Sequence, residues 1–316
     1  MTETIAAVVV TYNRKHLLME CLDALLTQTH RLDKIYVIDQ ASTDGTMDML
    51  TERGFLSEPR VEYVRATENT GGAGGFRAGM EIAHQNGYGW IWLMDDDTEA
   101  DPQALSSMLS YTPYPEVLAI ANDQVYPDGT PLVSNIKVRA LIPGESLPYT
   151  PLEFASFVGL LVSNRAIDNV GLPKAEFFIH CDDAEYCLRL VQQGNIAYAK
   201  NSIMVHKVAR KSAESVRIAG VRFAIAPIHE FCFMFFDMRN WTWILSNSSF
   251  VRRRYLRIVA FYAKKMVENG FLRRDNFWLR MRIIAKAFWD GTHNQFDNTF
   301  AFKMQAVAQS NRKKGT

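Results

Sequence analysis

The first 110 residues alternate short β-rich runs with segments of helical period, and this alternation restricts the chain to few architectures. IAAVVVTY, KIYVIDQ, VEYVRA and WIWLM read as strands; HLLMECLDALLTQ, TMDMLTERG and GFRAGMEIAHQNG between them read as helices. Such a βαβαβ rhythm predicts an α/β fold with a doubly wound, mostly parallel central sheet, because parallel neighbours need a crossover and the crossover helix covers a sheet face. Leu17, Leu18, Cys21, Leu22 and Leu25 recur at helical spacing and give the first helix one apolar stripe to lay on that sheet. Beyond WIWLM, DPQALSSML predicts another helix, with Pro102 near its first turn.

Further along, residues 111–152 are Pro-rich and weakly periodic, and PDGTP predicts a turn joining strands VLAIANDQVY and PLVSNIKV as a hairpin or sheet extension. EFASFVGLLVSNRAIDNVG reads as a strand entering a helix, DDAEYCLRLVQQG as a helix stopped by Gly194, and SIMVHK as a short closing strand. After Arg210 no segment has a convincing strand signal, so the tail is expected to be helical, with a frayed polar end at QSNRKKGT. Charge draws the same boundary. The chain of 316 residues has 35 basic and 34 acidic side chains, but residues 1–209 hold 15 basic and 27 acidic (net −12) and residues 210–316 hold 20 and 7 (net +13). Two domains, 1–209 and 210–316, with different partners are therefore expected.

An apolar content of 48% excludes a disordered chain. Cys21, Cys181, Cys187 and Cys232 form no CxxC pair, which argues against a zinc ribbon or a disulfide scaffold and fits reduced thiols in the cytoplasm. The amino terminus lacks the basic head and cleavage pattern of a signal peptide. The most apolar stretch, 223–245, is interrupted by His229, Glu230, Asp237 and Arg239, so no membrane span is expected.

The chemistry concentrates in a few places. WIWLMDDDTE ends an apolar strand in three carboxylates, and strand alternation would point Asp95 and Asp97 one way and Asp96 the other. Two oxygen ligands at the carboxyl end of a parallel strand suit Mg²⁺ or Mn²⁺; the alternative is a solvated acidic turn. ENTGGAGGFRAG is a glycine-rich loop before a helix, but no GK[ST] follows it and Arg77 stands where a GxGxxG begun at Gly72 needs glycine. It either lets a substrate approach the backbone or serves a tight turn with close helix packing. Asp182 and Asp183 open a helix with Glu185 one turn in, where acids complement the helix dipole or provide a general base. His206 is either a packed strand residue or a further metal ligand.

In the order VVVTYNR, VIDQASTDGT, ENTGGAGGFRAG, WIWLMDDDTE, HCDDAEY and VHK, residues 5–207 resemble the family 2 glycosyltransferases. GGAGGF, the triple aspartate followed by Thr-Glu, and the block FVGLLVSNRAIDNVGLPKAEFFIHCDDAEY are most similar to bacterial galactofuranosyltransferases and neighbouring rhamnosyltransferases. The resemblance implies a GT-A fold and inverting, metal-dependent transfer of a sugar from a nucleotide donor. Thr11, Tyr12, Asn13 and Arg14 would line the nucleotide pocket and Asp39 would hydrogen-bond the uracil. Asn69, Gly71, Gly72, Gly74 and Gly75 would shape the donor pocket, Arg77 would balance phosphate charge, and Asp96 would belong to the same pocket. Asp95, Asp97 and His206 would hold Mn²⁺ or Mg²⁺, Asp183 would be the catalytic base, and Asp182, Glu185 and Arg239 would contact the acceptor, with Asn240 beside them. Cys181 stands where the galactofuranosyltransferases tend to carry tryptophan, which puts acceptor stacking there in doubt.

The resemblance leads to UDP-galactofuranose as donor and a lipid-linked cell-surface polysaccharide as acceptor. The alternatives are a dTDP-rhamnose enzyme or a catalytically silent nucleotide-sugar-binding protein. The basic tail interleaves Arg252, Arg253, Arg254, Arg257, Lys264 and Lys265, then Arg273, Arg274, Arg280 and Arg282, with aromatic residues. Such helices suit a peripheral position on the anionic cytoplasmic face of the inner membrane. Nucleic acid is the rival partner, without a recognisable binding module, and plain solvated helix faces are the third reading.

Overall fold

The computed structural model describes residues 3–132, 136–141, 143–207, 215–218, 221–224, 226–247, 254–272 and 275–314. They fall into two compact units, one of residues 1–175 and 182–209, the other of residues 176–181 and 210–316.

The first unit is built on a ten-stranded sheet. Its strands are β1 (Ile5–Thr11), β2 (Lys34–Asp39), β3 (Val61–Arg65), β4 (Trp90–Asp95), β5 (Thr98–Ala100), β6 (Val117–Val125), β7 (Ile136–Val138), β8 (Thr150–Ala155), β9 (Leu160–Ser163) and β10 (Asn195–His206). Their order is β3-β2-β1-β4-β9-β6-β10-β8-β7, with β5 paired to β10. The strands β3-β2-β1-β4 are parallel throughout, as the βαβ rhythm requires. β9 enters antiparallel between β4 and β6, and β10 runs parallel to β6 but antiparallel to β8 and β5.

Both faces are covered. Ile5, Ala7 and Val9 of β1 pack in one layer with Leu18, Cys21, Leu22 and Leu25 of α1 (Lys15–Leu26) and with Leu105 and Met108 of α4 (Ala104–Leu109). Ala6, Val8 and Val10 face the other layer, against Phe76 and Met80 of α3 (Gly71–Gln85), Ile167 of α5 (Asn164–Val170) and Tyr186 and Leu190 of α6 (Asp182–Leu190). A strand apolar at consecutive positions, as β1 is from Ile5 to Val10, is buried on two sides, and β1 has no exposed residue. The remaining helix, α2 (Thr46–Glu52), follows β2.

Four local expectations change. The glycine-rich segment is the first turns of α3 rather than a loop before it, because a Cβ on Gly75 would sit 2.5 Å from Val10 Cγ1 and one on Gly79 2.3 Å from Val8 Cγ1. The glycines bring helix and sheet into close contact. PDGTP turns as expected, with Gly129 at φ +80° and Pro131 and Leu132 pairing antiparallel with Val125 and Gln124 at the end of β6, but the extension continues as β7 on β8 rather than along β6. β4 ends at Asp95, the acidic turn leads into β5, and the next helix starts only at Ala104, two residues beyond Pro102.

The fourth change lies in the second unit, where a hairpin of β11 (Ser215–Ile218) and β12 (Val221–Ala224) precedes the helices. The helices are α7 (Ile228–Asn247), α8 (Arg254–Met266), α9 (Phe277–Thr292) and α10 (Phe300–Lys314), so the polar end is helical up to Lys314. Phe231, Phe235, Phe236, Ile283, Ala287 and Phe300 form its core. Among the described residues, no helix is long and apolar enough to cross a membrane. No disulfide joins the four cysteines, all of them buried.

Candidate active site

The acidic turn between β4 and β5 is drawn against β10 by backbone pairing. His206 stands opposite Thr98 in the β10–β5 register, and Lys207 N donates to Asp97 O at 2.9 Å. Thr98 Oγ1 closes the turn by donating to Asp95 O. Asp95, Asp97 and His206 each thereby offer a ligand atom within 4.8 Å of the others. Strand alternation does not bring the two aspartates together, since only Asp95 is on the strand; the turn and the β5–β10 pairing do.

Asp97 divides its oxygens between Arg14 and His206. Oδ2 accepts from Arg14 at 2.8 Å, and Oδ1 lies 3.3 Å from His206 Nε2 as a charge contact. Asp97 Oδ1 and His206 Nδ1 are buried and have no hydrogen-bond partner. Asp96 points into the protein: its Oδ2 accepts from Thr11 Oγ1 at 2.8 Å and Tyr12 N at 3.4 Å, and its Oδ1 lies 3.4 Å from Arg14. It braces the β1 terminus.

Burial shifts the charges here. Desolvation, then repulsion from Asp97 and Asp96, holds the Asp95 carboxyl well above the usual range, and burial lifts Asp96 to about 6. Burial also raises Asp97, but His206 and Arg14 outweigh it and bring the group below its ordinary value. Burial lowers His206, yet Asp97 and Asp95 raise it overall. A buried cluster of three carboxyls beside a ring nitrogen, His206 Nδ1, that has no hydrogen-bond partner is undercompensated, and two carboxylates with one imidazole form a donor set that Mn²⁺ or Mg²⁺ accepts. The residues therefore fit a divalent cation.

Asp183 is half-buried at the start of α6, where its Oδ1 accepts from Ala184 N at 2.7 Å. Burial, then the field of Asp95, raises its pKa, and burial with Asp183 raises Asp182. Both carboxyls are thus shifted towards neutrality, mainly by burial.

Most of the other expected residues carry contacts within the fold. Asp39 is fully enclosed: Ser42 N donates to its Oδ1 at 2.8 Å, and Arg65 (3.1 Å) and Tyr63 donate to its Oδ2. Asn13, at φ +54°, accepts from Thr43 N at 2.7 Å, and Asn69 accepts from Gly71 N at 2.8 Å. Gly74 would place a Cβ 2.1 Å from Thr70 Oγ1, whereas Gly72 has open space around it. Arg77 donates to Pro173 O at 3.3 Å. Glu185 forms a buried ion pair with Arg189 at 2.7 Å, and Arg189 also donates to the carbonyls of Val170 and Leu172.

Arg239, in the second unit, has no exposed surface. It donates to Asn298 Oδ1 (2.8 Å), Phe177 O (3.0 Å), Glu176 O (3.3 Å) and Asn240 Oδ1 (2.9 Å), among the rings of Phe235, Phe236 and Phe296. Asn240 Nδ2 donates to the carbonyls of Phe177, Ile179 and His180. The pair fastens segment 176–181, in which Phe178, His180 and Cys181 have positive φ.

Two positioning residues escaped the sequence reading. Gln40 is buried and accepts from Thr70 N (2.9 Å) and Thr70 Oγ1 (2.7 Å), tying the end of β2 to the start of α3. Gly159, at φ +85°, accepts from Trp92 Nε1 at 2.9 Å and donates to Leu93 O at 2.8 Å, which steadies β4 just before the aspartates. Only the glycine in FVGLL hinted at the second; nothing marked Gln40.

The family model "Glycosyl transferase family 2" matches residues 6–150. Galactofuranosyltransferase GlfT1 of Mycolicibacterium smegmatis is 30% identical over 215 residues, covering 61% of this chain and 67% of the relative. The chain belongs to glycosyltransferase family 2. dTDP-rhamnosyl transferase RfbF of Shigella flexneri is 26% identical over 253 residues, covering 76% of this chain and 79% of RfbF. Among solved structures, mannosyltransferase PcManGT of Pyrobaculum calidifontis, in complex with GDP-Man and Mn²⁺, superimposes with a TM-score of 0.55 at 14% identity, covering 98% of this chain and 81% of that one. The fold of this family 2 enzyme is thus GT-A-like: a mixed α/β sheet followed by a helical region. The segment matched to GlfT1 spans about two thirds of that relative.

Proposed function

We propose that this enzyme transfers galactofuranose from UDP-galactofuranose, with inversion, to a lipid-linked glycan acceptor at the cytoplasmic face of the inner membrane. The observation that carries a metal-dependent transfer is the convergence of Asp95, Asp97 and His206, whose ligand atoms lie within 4.8 Å of one another. These three would hold Mn²⁺ or Mg²⁺, which supplies Lewis-acid stabilisation of the departing diphosphate. Thr11, Tyr12, Asn13 and Arg14, at the end of β1, would receive the nucleotide beside Asp39, Asn69 and the amino terminus of α3 at Gly71 and Gly72.

Asp183 accepts the proton of the acceptor hydroxyl. That oxygen attacks the anomeric carbon as the carbon–oxygen bond to UDP breaks, and UDP leaves with the electron pair of that bond. Arg14, half-exposed and paired with Asp97 at 2.8 Å, is a cation within the site that can pass from carboxylate to phosphate. Asp182 would orient the acceptor.

The choice of galactofuranose rests on the similarity to GlfT1. RfbF, matched over a larger share of the chain at lower identity, favours dTDP-rhamnose as the second reading. The test is incubation with UDP-galactofuranose, dTDP-rhamnose and other nucleotide sugars, Mn²⁺ and a synthetic polyprenyl-diphosphate glycan, with products weighed by mass spectrometry. A pentose or hexose added only from another donor overturns the galactofuranose reading. Binding of donors with no product from any acceptor points to a silent binding protein.

A further inference from the structure

α8 and α9 each bury one apolar face in the core of the second unit and expose another. On α9, Arg280, Ile283, Ile284 and Ala287 are buried, while Trp278 is 82% and Trp289 53% exposed, with Phe277 and Phe288 also exposed. At about 100° per residue, positions 278, 285 and 289 share one side of the helix and 277 and 288 flank it. On α8, Ile258 and Tyr262 face inwards, whereas Leu256 and Val259 are each 65% and Met266 48% exposed. The two helices meet where Tyr262 contacts Phe288 edge to face at 5.2 Å.

Basic side chains predominate on the rim of these faces, and the exposed Asp275 before Trp278 is paired with the buried Arg280 at 3.0 Å. Arg257 and Lys264 border the Leu256–Val259 stripe, and Arg282 lies between the two tryptophans, all three exposed, although Lys264 also lies 3.8 Å from the buried Glu268. The sequence from 210 to 316 holds 20 basic and 7 acidic residues. The expected basic surface is therefore smaller than the sequence implied, since Arg280 is enclosed by Asp275 and Asn269 and Lys265 is paired with Glu268 at 3.1 Å. Arg252, Arg253, Arg273 and Arg274 lie outside the described residues, as does the side chain of Arg254. What the structure adds is apolar: tryptophan, phenylalanine and aliphatic side chains turned outwards between cations.

We infer that the exposed faces of α8 and α9 dock onto an anionic lipid surface. Tryptophan and arginine stems suit the headgroup level, the aliphatic chains suit the acyl boundary, and the basic rim suits anionic headgroups. Nucleic acid would leave Leu256, Val259 and Met266 without a partner, because bases stack on rings. A second copy of the same face would set Arg257, Lys264 and Arg282 against like charges. The inference rests on the proposed position at a membrane face, and is independent of the donor sugar and of catalysis.

Co-flotation of the full chain with phosphatidylcholine vesicles, with and without phosphatidylglycerol, at low and high salt tests it. Binding is expected only with phosphatidylglycerol and is expected to weaken with salt. Trp278→Ala with Trp289→Ala, and separately Leu256→Asp with Val259→Asp, are expected to lower the bound fraction about tenfold, with thermal unfolding and nucleotide binding unchanged. Absence of binding to anionic vesicles, or equal binding by folded variants, overturns the inference. So does a dimer in light scattering that the same substitutions dissolve, which assigns the face to a second copy, or binding of RNA with equal loss in the variants.

Discussion

Each unit of this enzyme buries charge, and they treat it in opposite ways. In the helical unit Arg239 and Arg280 have no exposed surface, yet each is ringed by carbonyls, amides or a carboxylate, and each lies about 5 Å from an aromatic ring. In the α/β unit Asp95, Asp96 and Asp97 crowd one turn, two carboxyls are pushed up by burial, and the buried His206 Nδ1 has no hydrogen-bond partner. Satisfied buried charge fastens a fold, while undercompensated buried charge waits for a ligand. The contrast separates scaffold from site within one chain.

The largest effect should come from the site. Asp183→Asn is expected to lower turnover by about three orders of magnitude, with UDP binding in the presence of Mn²⁺ changed less than about twofold; turnover near that of the unaltered enzyme would remove Asp183 as the base. Asp97→Asn and His206→Ala should each abolish the rise in melting temperature that Mn²⁺ produces. An undiminished Mn²⁺ response in both would show that the cluster is no metal site.

Arg239→Met probes the satisfied side of the comparison. It leaves Asn298 Oδ1 and Glu176 O without their Arg239 donor and Phe177 O with Asn240 alone, and about 3 kcal/mol of stability should be lost in denaturant unfolding. Burial brings the Arg239 guanidinium down to about 10, still charged at neutrality, so Arg239→Lys should recover only part of that loss because it lacks the planar fork. A fully stable Arg239→Met protein with weakened acceptor binding would return Arg239 to the acceptor role expected from sequence.

A smaller effect concerns pH. The folded state holds the Asp95 and Asp96 protons more tightly than the unfolded chain does, so in the metal-free protein this cluster costs stability as pH rises from the carboxylate range towards neutrality. A cation replaces those protons, and the raised His206 must also lose its proton to bind one. Stabilisation by Mn²⁺ should therefore be clear at about pH 7.5 and nearly absent at about pH 5; a response independent of pH would contradict the assignment. The smallest change is Glu185→Gln, which should cost about 1 kcal/mol through the Arg189 brace and leave the acceptor KM unaltered. A raised KM in a stable variant would instead make Glu185 an acceptor ligand.

The sequence by itself determined the parallel half of the sheet, because all-apolar runs such as IAAVVV can only be strands buried on both faces, and the helical stripe of Leu18, Leu22 and Leu25 can only lie upon them. It also placed three carboxylates at a strand end, since that pattern is local. Only tertiary structure decided which side chains meet. The β5–β10 register brings His206 to Asp97 across more than 100 residues, and the close approach of α3 to β1 makes Gly75 and Gly79 packing residues. The carbonyls of 176–181 likewise bind Arg239 and Asn240, two residues expected to meet an acceptor. Periodicity records which face of an element avoids water, but a partner distant in sequence leaves no periodic trace, so pairing must be settled by the folded chain.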